Sequence, residues 1–231
     1  MLDSHTLKLK PIANINSPNN YIIALQQEYN QWAYTEEQAP QFKGQWRQQV
    51  FNKPDSAFLD LEIGTGNGLF FAHQATKHPE RCLIGIERKF KPLVQSIRRA
   101  LRQGATNARV LRYDAEVPWN LFAPSELNNI FIHFPDPWPK MRWHKNRLIQ
   151  TEYLQKLIEL QREKSYLEFK TDHRGYFDHA LKVFQNSAYK MEGYTYDLHQ
   201  SEFAEQNFVT HFESIFLHKG QPIYYALLSK N

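Results

Sequence analysis

From residue 57 onward the chain alternates short, unbroken apolar runs with longer stretches in which apolar residues recur every three or four positions. The first pattern is that of strands buried on both faces, and the second is that of amphipathic helices. Strands are predicted over 57–63, 82–86, 108–113, 129–134 and 165–170, and helices over 68–77, 89–103, 148–161 and 176–185. In the 89–103 helix Phe90, Leu93, Val94, Ile97 and Leu101 share one face, Lys91, Arg98, Arg99 and Arg102 take the other, and Gly104 ends it. A closing strand over 223–228, with a partner over 194–198, brings the number to seven. Strands separated by helices imply an α/β fold, with a mostly parallel seven-stranded sheet and helices on both faces.

Residues 1–50 read differently. They are rich in Asn and Gln, and only Tyr21-Ile22-Ile23-Ala24-Leu25 offers an apolar segment, as the start of a helix or as a short strand. This stretch reads as a variable N-terminal extension, with 51–231 as the domain proper. A length of 231 residues and a hydrophobic content of 42% suit a single globular domain. No run of eighteen apolar residues exists to span a membrane, and the first residues lack the apolar core of a secretory signal. Cys82 is the only cysteine, which excludes an intramolecular disulfide and any multi-cysteine metal site. A cytoplasmic protein, monomer or homodimer, is expected. The formal net charge of +4 suits a nucleic-acid partner and an ordinary basic enzyme equally well.

The first strand runs into Glu62-Ile63-Gly64-Thr65-Gly66-Asn67-Gly68. Glycines at a strand-to-helix turn let backbone approach a ligand closely, and ligands of open α/β sheets gather at the carboxyl ends of strands. The dinucleotide fingerprint places its third glycine one residue later, where this chain has Leu69. Glu87 ends the second strand and Asp114 the third. One such carboxylate could equally be a solvated strand end or a helix cap. Three in succession (Glu62, Glu87 and Asp114) would repel a pyrophosphate and suit a cationic ligand. S-adenosylmethionine is such a ligand: Glu87 could accept from its ribose hydroxyls, Asp114 from the adenine amino group, and Glu62 could face its positive end.

The fourth strand leads into Phe134-Pro135-Asp136-Pro137-Trp138-Pro139-Lys140, a loop stiffened by three prolines in five residues. A carboxylate can accept from the N1 and N2 donors of guanine, and an indole offers a stacking surface, so Asp136 and Trp138 can present a base. Lys140, Arg142, His144, Lys145 and Arg147 follow, interleaved with Trp143. Such a run is either a solvated face or a surface for a phosphate backbone. His133 is expected in the core or behind the site.

These motifs, together with Gly85-Ile86-Glu87, Arg147-Leu148-Ile149-Gln150 with Leu154, Lys170-Thr171-Asp172 and Thr210-His211-Phe212-Glu213, resemble those of the bacterial tRNA (guanine-N7-)-methyltransferases from about Phe58 to the C-terminus. The resemblance implies a Rossmann-like S-adenosylmethionine-dependent methyltransferase fold and methyl transfer to N7 of guanine at position 46 in the tRNA variable loop. It implies a cofactor site of Glu62, Gly64, Gly66, Gly68, Glu87, Asp114 and Asp136, with Asp136 also catalytic. It implies tRNA contacts from Lys140, Asp172, Thr210, His211, Phe212 and Glu213, to which the basic run adds Arg142 and Lys145. Guanine N7 has a lone pair and no proton, so neither a general base nor a metal is required. Two other readings remain: methylation of an exocyclic base amine, and an RNA-binding protein that keeps the fold without activity.

Overall fold

The apolar runs become the strands that the periodicity predicts, and one further strand joins them. The computed structural model describes residues 9–231. The chain divides into two compact units, Met1–Ala123 and Pro124–Asn231.

In the first unit the elements are α1 (Asn20–Gln26), β1 (Ala33–Tyr34), β2 (Leu59–Ile63), α2 (Leu69–Lys77), β3 (Cys82–Ile86), α3 (Phe90–Arg102) and β4 (Ala108–Leu111). Its strands run parallel in the order β1-β4-β3-β2. The added strand is β1, two residues from the segment expected to be an extension, which makes eight strands among the described residues where seven were expected. The described part of that segment, from Leu9 on, is folded into the unit for a physical reason: it carries large apolar side chains that need covering. Asn19 caps α1 by accepting from the N–H groups of Tyr21 and Ile22, and α1 buries Ile22 and Leu25. Leu25, Tyr29 and Ala33 join Phe71, Leu93, Val94, Ile97 and Val110 in one cluster. Tyr34, the next residue of β1, points to the opposite face. There it meets Phe42 and Trp46, whose indole N–H donates to the Leu121 carbonyl at 2.8 Å. Short irregular turns thus cover Tyr34 on this second face.

The second unit contains β5 (Ile130–His133), α4 (Thr151–Leu160), β6 (Ser165–Thr171), α5 (Arg174–Gln185), β7 (Lys190–Thr195), α6 (His211–His218) and β8 (Tyr224–Lys230). The strand order is β5-β6-β8-β7; β6 is parallel to β5, and β8 is antiparallel to both β6 and β7. Strand β7 begins four residues earlier than expected, because its alternation of exposed and half-buried residues contains Gly193 and no apolar run. Along β6 the two-residue period sends Phe169 to one face, where it packs on Tyr176, Phe177 and Phe184 of α5. Glu168 and Lys170 take the other face. Among the described residues no helix is long and apolar enough to cross a membrane. Cys82 is buried, and burial pushes its thiol up to about 11, which leaves it unreactive.

Candidate active site

In the first unit the turn after β2 is gathered by its neighbours. The Gly64 N–H donates to the Ile86 carbonyl at 2.9 Å, so the turn is fixed to the end of β3. Gly64, Gly66 and Gly68 all have left-handed backbones, at φ +82°, +53° and +77°. A Cβ on Gly68 would stand 2.3 Å from the Cα of Ser96, so the turn lies directly on α3. A Cβ on Gly64 would meet nothing within 4 Å. The backbone there borders open space at a strand end, as a ligand cradle requires.

Side chains of α3 hold the turn from behind. The Ser96 hydroxyl lies 2.9 Å from the Thr65 hydroxyl and 3.1 Å from the Gly66 carbonyl, and Arg99 Nε donates to the Asn67 carbonyl at 3.2 Å. Periodicity placed Arg99 on the exposed basic face and passed over Ser96. A hydroxyl and a guanidinium one turn apart on a helix carry no signal of a loop that is distant in sequence. Arg98 donates to the Tyr29 hydroxyl at 3.0 Å.

Three carboxylates end neighbouring strands. Glu62 lies in β2 and is buried, Glu87 follows β3, and buried Asp114 follows β4. Glu87 accepts from Gly66 N–H at 3.3 Å and from Lys89 N–H at 2.9 Å. Its carboxyl is raised above the ordinary range by burial, against which these hydrogen bonds and the Lys89 charge work. Asp114 accepts from Glu116 N–H at 3.1 Å. Such an edge favours a cation and disfavours phosphate.

In the second unit, two residues of the proline-rich loop sit in left-handed conformations unusual for non-glycine residues: Phe134 at φ 52° and Trp138 at φ 44°. The Phe134 N–H donates to the Lys170 carbonyl at 2.8 Å, and its ring stacks on Phe216 of α6 with centroids 6.0 Å apart. Trp138 meets Trp143 edge-on at 6.0 Å. Between these anchors Asp136 is exposed.

The basic run splits in two. Lys140, Arg142 and Lys145 are exposed, and Lys140 and Arg142 both lie over the Trp143 ring, at 4.8 and 5.0 Å. Arg147 is 3% exposed and belongs to the interior. Its Nε donates to the Pro137 carbonyl at 2.9 Å, its terminal nitrogen reaches the Gly175 carbonyl, and its guanidinium lies 5.1 Å from the Tyr176 ring centroid. It locks the loop to α5 and is withdrawn from the surface.

Asp172 follows β6 and is half-buried; burial raises its carboxyl, while its own backbone N–H and the charges of His173 and Lys219 work against that rise. Thr210 and Glu213 form a reciprocal capping box at the head of α6: the Thr210 hydroxyl accepts from Glu213 N–H at 3.1 Å, and Glu213 accepts from Thr210 N–H at 3.2 Å. Both are buried, Phe212 is 50% exposed, and the His211 side chain lies outside what the structure describes. The Thr-x-x-Glu spacing is itself a helix-start signal, legible in the sequence.

Known proteins agree with this architecture. The family model described as "Putative methyltransferase" matches residues 56–226. The 16S rRNA methyltransferase KamB superposes with a TM-score of 0.57 at 13% identity, covering 79% of this chain and 93% of that one. A SAM-dependent methyltransferase from Aquifex aeolicus gives 0.50 at 11% identity, covering 74% and 81%. At such identities the likeness concerns the fold alone. The family model and the fold together define the class, a Rossmann-like S-adenosylmethionine-dependent methyltransferase. A tRNA (guanine-N(7)-)-methyltransferase of Bdellovibrio bacteriovorus is 46% identical over 208 residues, 90% of this chain and 100% of that protein, and one of Bacillus subtilis is 35% identical over 185 residues, 80% and 85%. The chain belongs to the tRNA (guanine-N(7)-)-methyltransferase family.

Proposed function

We propose that this protein transfers the methyl group of S-adenosylmethionine to N7 of guanine in tRNA, at position 46 of the variable loop, in the cytoplasm. Family membership supports the reaction. The structural observation that carries the assignment of roles is Asp136: an exposed carboxylate in a loop whose backbone is pinned at both ends.

The first unit has residues that fit the donor. Open space over Gly64 accommodates its approach, and Glu62, Glu87 and Asp114 match its amino group and sulfonium, ribose and adenine in turn. When bound, it supplies an electrophilic methyl carbon on a positively charged sulfur. Guanine N7 carries an in-plane lone pair and no proton, so it would need no base to accept that methyl group, and the guanine ring would gain positive charge. No proton leaves, so the protein's task is alignment and charge stabilisation. Asp136 accepts from the guanine N1 and N2 donors and stabilises the ring as it gains charge. Trp138 offers its face to a base. Lys140, Arg142 and Lys145 neutralise phosphates, with Asp172 and the 210–213 segment as further substrate contacts.

The test is methylation of a tRNA transcript with labelled S-adenosylmethionine, with the product mapped by borohydride and aniline cleavage. Strand scission at guanine 46, lost when that base is replaced by adenine, is expected. Label on an exocyclic amine would favour the alternative chemistry, and tRNA binding without transfer would favour a silent RNA-binding protein.

A further inference from the structure

Behind the proline-rich loop lies a chain of charged groups that the proposed chemistry does not use. His133 Nε2 stands 2.8 Å from Glu168, Lys170 Nζ lies 3.7 Å from Glu168 and 3.8 Å from Glu213, and His199 Nε2 is 2.8 Å from Glu213. Lys170 also donates to Asn207, and the Tyr225 hydroxyl donates to Glu168 at 3.4 Å. The Lys170 and Glu213 side chains are 2% and 0% exposed. Replacing such a buried ion pair by apolar groups often leaves stability unchanged or improved, so stability alone explains it poorly.

Its ends identify what it connects. His133 is the last residue of β5, immediately before Phe134 opens the loop. Glu213 closes the capping box of α6. A second, apolar tie joins the same two elements, since Phe134 lies against Phe212 and Phe216 of α6. Glu213 spends both carboxylate oxygens internally, accepting from Asn207 and from the Thr210 N–H.

We infer that Lys170 is a positioning residue: its buried ammonium, bridging Glu168 to Glu213, holds the head of α6 in fixed register with the Phe134–Lys140 loop, so that both meet tRNA as one surface. The inference rests on the proposed tRNA reaction for its functional consequence and on geometry for the coupling itself. Glu213 then serves tRNA binding through the placement of α6, and Phe212 is the exposed side chain that this placement presents.

The test is Lys170→Met in the full-length protein. KM for tRNA is expected to rise roughly three- to thirtyfold. S-adenosylmethionine affinity by calorimetry and kcat at saturating tRNA should change little. Hydrogen exchange should quicken in peptides covering 134–140 and 211–218 together. Glu168→Gln, which removes the charge from the other end of the Lys170 bridge and keeps the shape, should reproduce all four readings. Unchanged tRNA KM, or faster exchange in α6 without the loop, would overturn the inference. So would failure of both variants to fold, since the network would then be a folding core. A wild-type protein inactive on tRNA would defeat the proposed function, while the exchange readings would still decide the coupling.

Discussion

The Glu87 carboxylate accepts a hydrogen bond from the Gly66 N–H at 3.3 Å, so the acid that ends one strand steadies the glycine turn that follows its neighbour. Replacing Glu87 with Ala should weaken S-adenosylmethionine binding by about 1.5–3 kcal/mol, the range for hydrogen bonds to a charged group. Because burial raises the Glu87 carboxyl, it takes up its proton at a higher pH than an ordinary glutamate does. Cofactor affinity should therefore fall on acidification while free carboxylates are still ionised, and Glu87→Gln should flatten that dependence. Calorimetric titrations across the acid range, on both proteins, decide it.

Two glycines of the turn should respond differently to the same methyl group. Gly68→Ala drives a Cβ into the backbone of α3 and should cost about 1–3 kcal/mol in overpacking, plus 1–2 kcal/mol for the left-handed backbone. Gly64→Ala meets open space, so only the backbone term remains, and its main effect should be on cofactor affinity. Denaturant melts and calorimetry on the pair separate the two losses. Equal stability losses would mean that α3 does not lie on the turn as described.

Asp136→Asn keeps a hydrogen-bond acceptor and removes the charge; Asp136→Ala removes both. If the residue anchors guanine and stabilises the charge gained by the ring, both should slow single-turnover methylation, with Asp136→Ala losing on the order of 10²–10³. Both should still bind tRNA, because phosphates supply most of the affinity. Near-wild-type turnover in the alanine variant would remove Asp136 from the reaction.

The split in the basic run is open to measurement. Arg142→Ala with Lys145→Ala should lower tRNA affinity and flatten its salt dependence by roughly two phosphate contacts. Arg147→Ala should act on the loop, costing about 1.5–3 kcal/mol of stability through its lost hydrogen bonds. A salt slope altered by Arg147→Ala in a protein of unchanged stability would place that side chain at the surface.

The buried network sets an acid limit on stability. Burial, together with the Lys170 charge, holds His133 below its usual value, so at neutral pH it is uncharged and donates its Nε2–H to Glu168. Burial works to raise the Glu168 carboxyl, but the His133 hydrogen bond and the nearby charges outweigh it and hold the group at about 2. Both groups bind protons more readily in the unfolded chain, so their contribution is full above the unfolded values and is lost as pH falls. The loss should start near pH 6.5 with His133 and continue from 4.5 towards 2 with Glu168. Urea melts should show stability falling between pH 7.5 and 5.5, and His133→Gln should fall less steeply over that interval.

Periodicity along the chain by itself determined the strands and helices from Leu59 to Gln185 and the closing strand β8, because their apolar spacing depends on each element's own geometry; α6, which opens on a capping box, and the true start of β7 escaped it. The glycine turn, the acidic strand ends and the proline-rich loop were legible for a similar reason: each is a local motif whose chemistry is written in adjacent residues. Tertiary structure decided whatever depends on partners distant in sequence. The β1 strand is two residues long and exists only because β4 offers it an edge. Arg147 looked like one cation in a surface run until Pro137, Gly175 and Tyr176 closed around it. Glu168, Lys170 and Glu213 meet because β6 alternates its faces and α6 returns to cover one of them, a pairing that no spacing along the chain encodes.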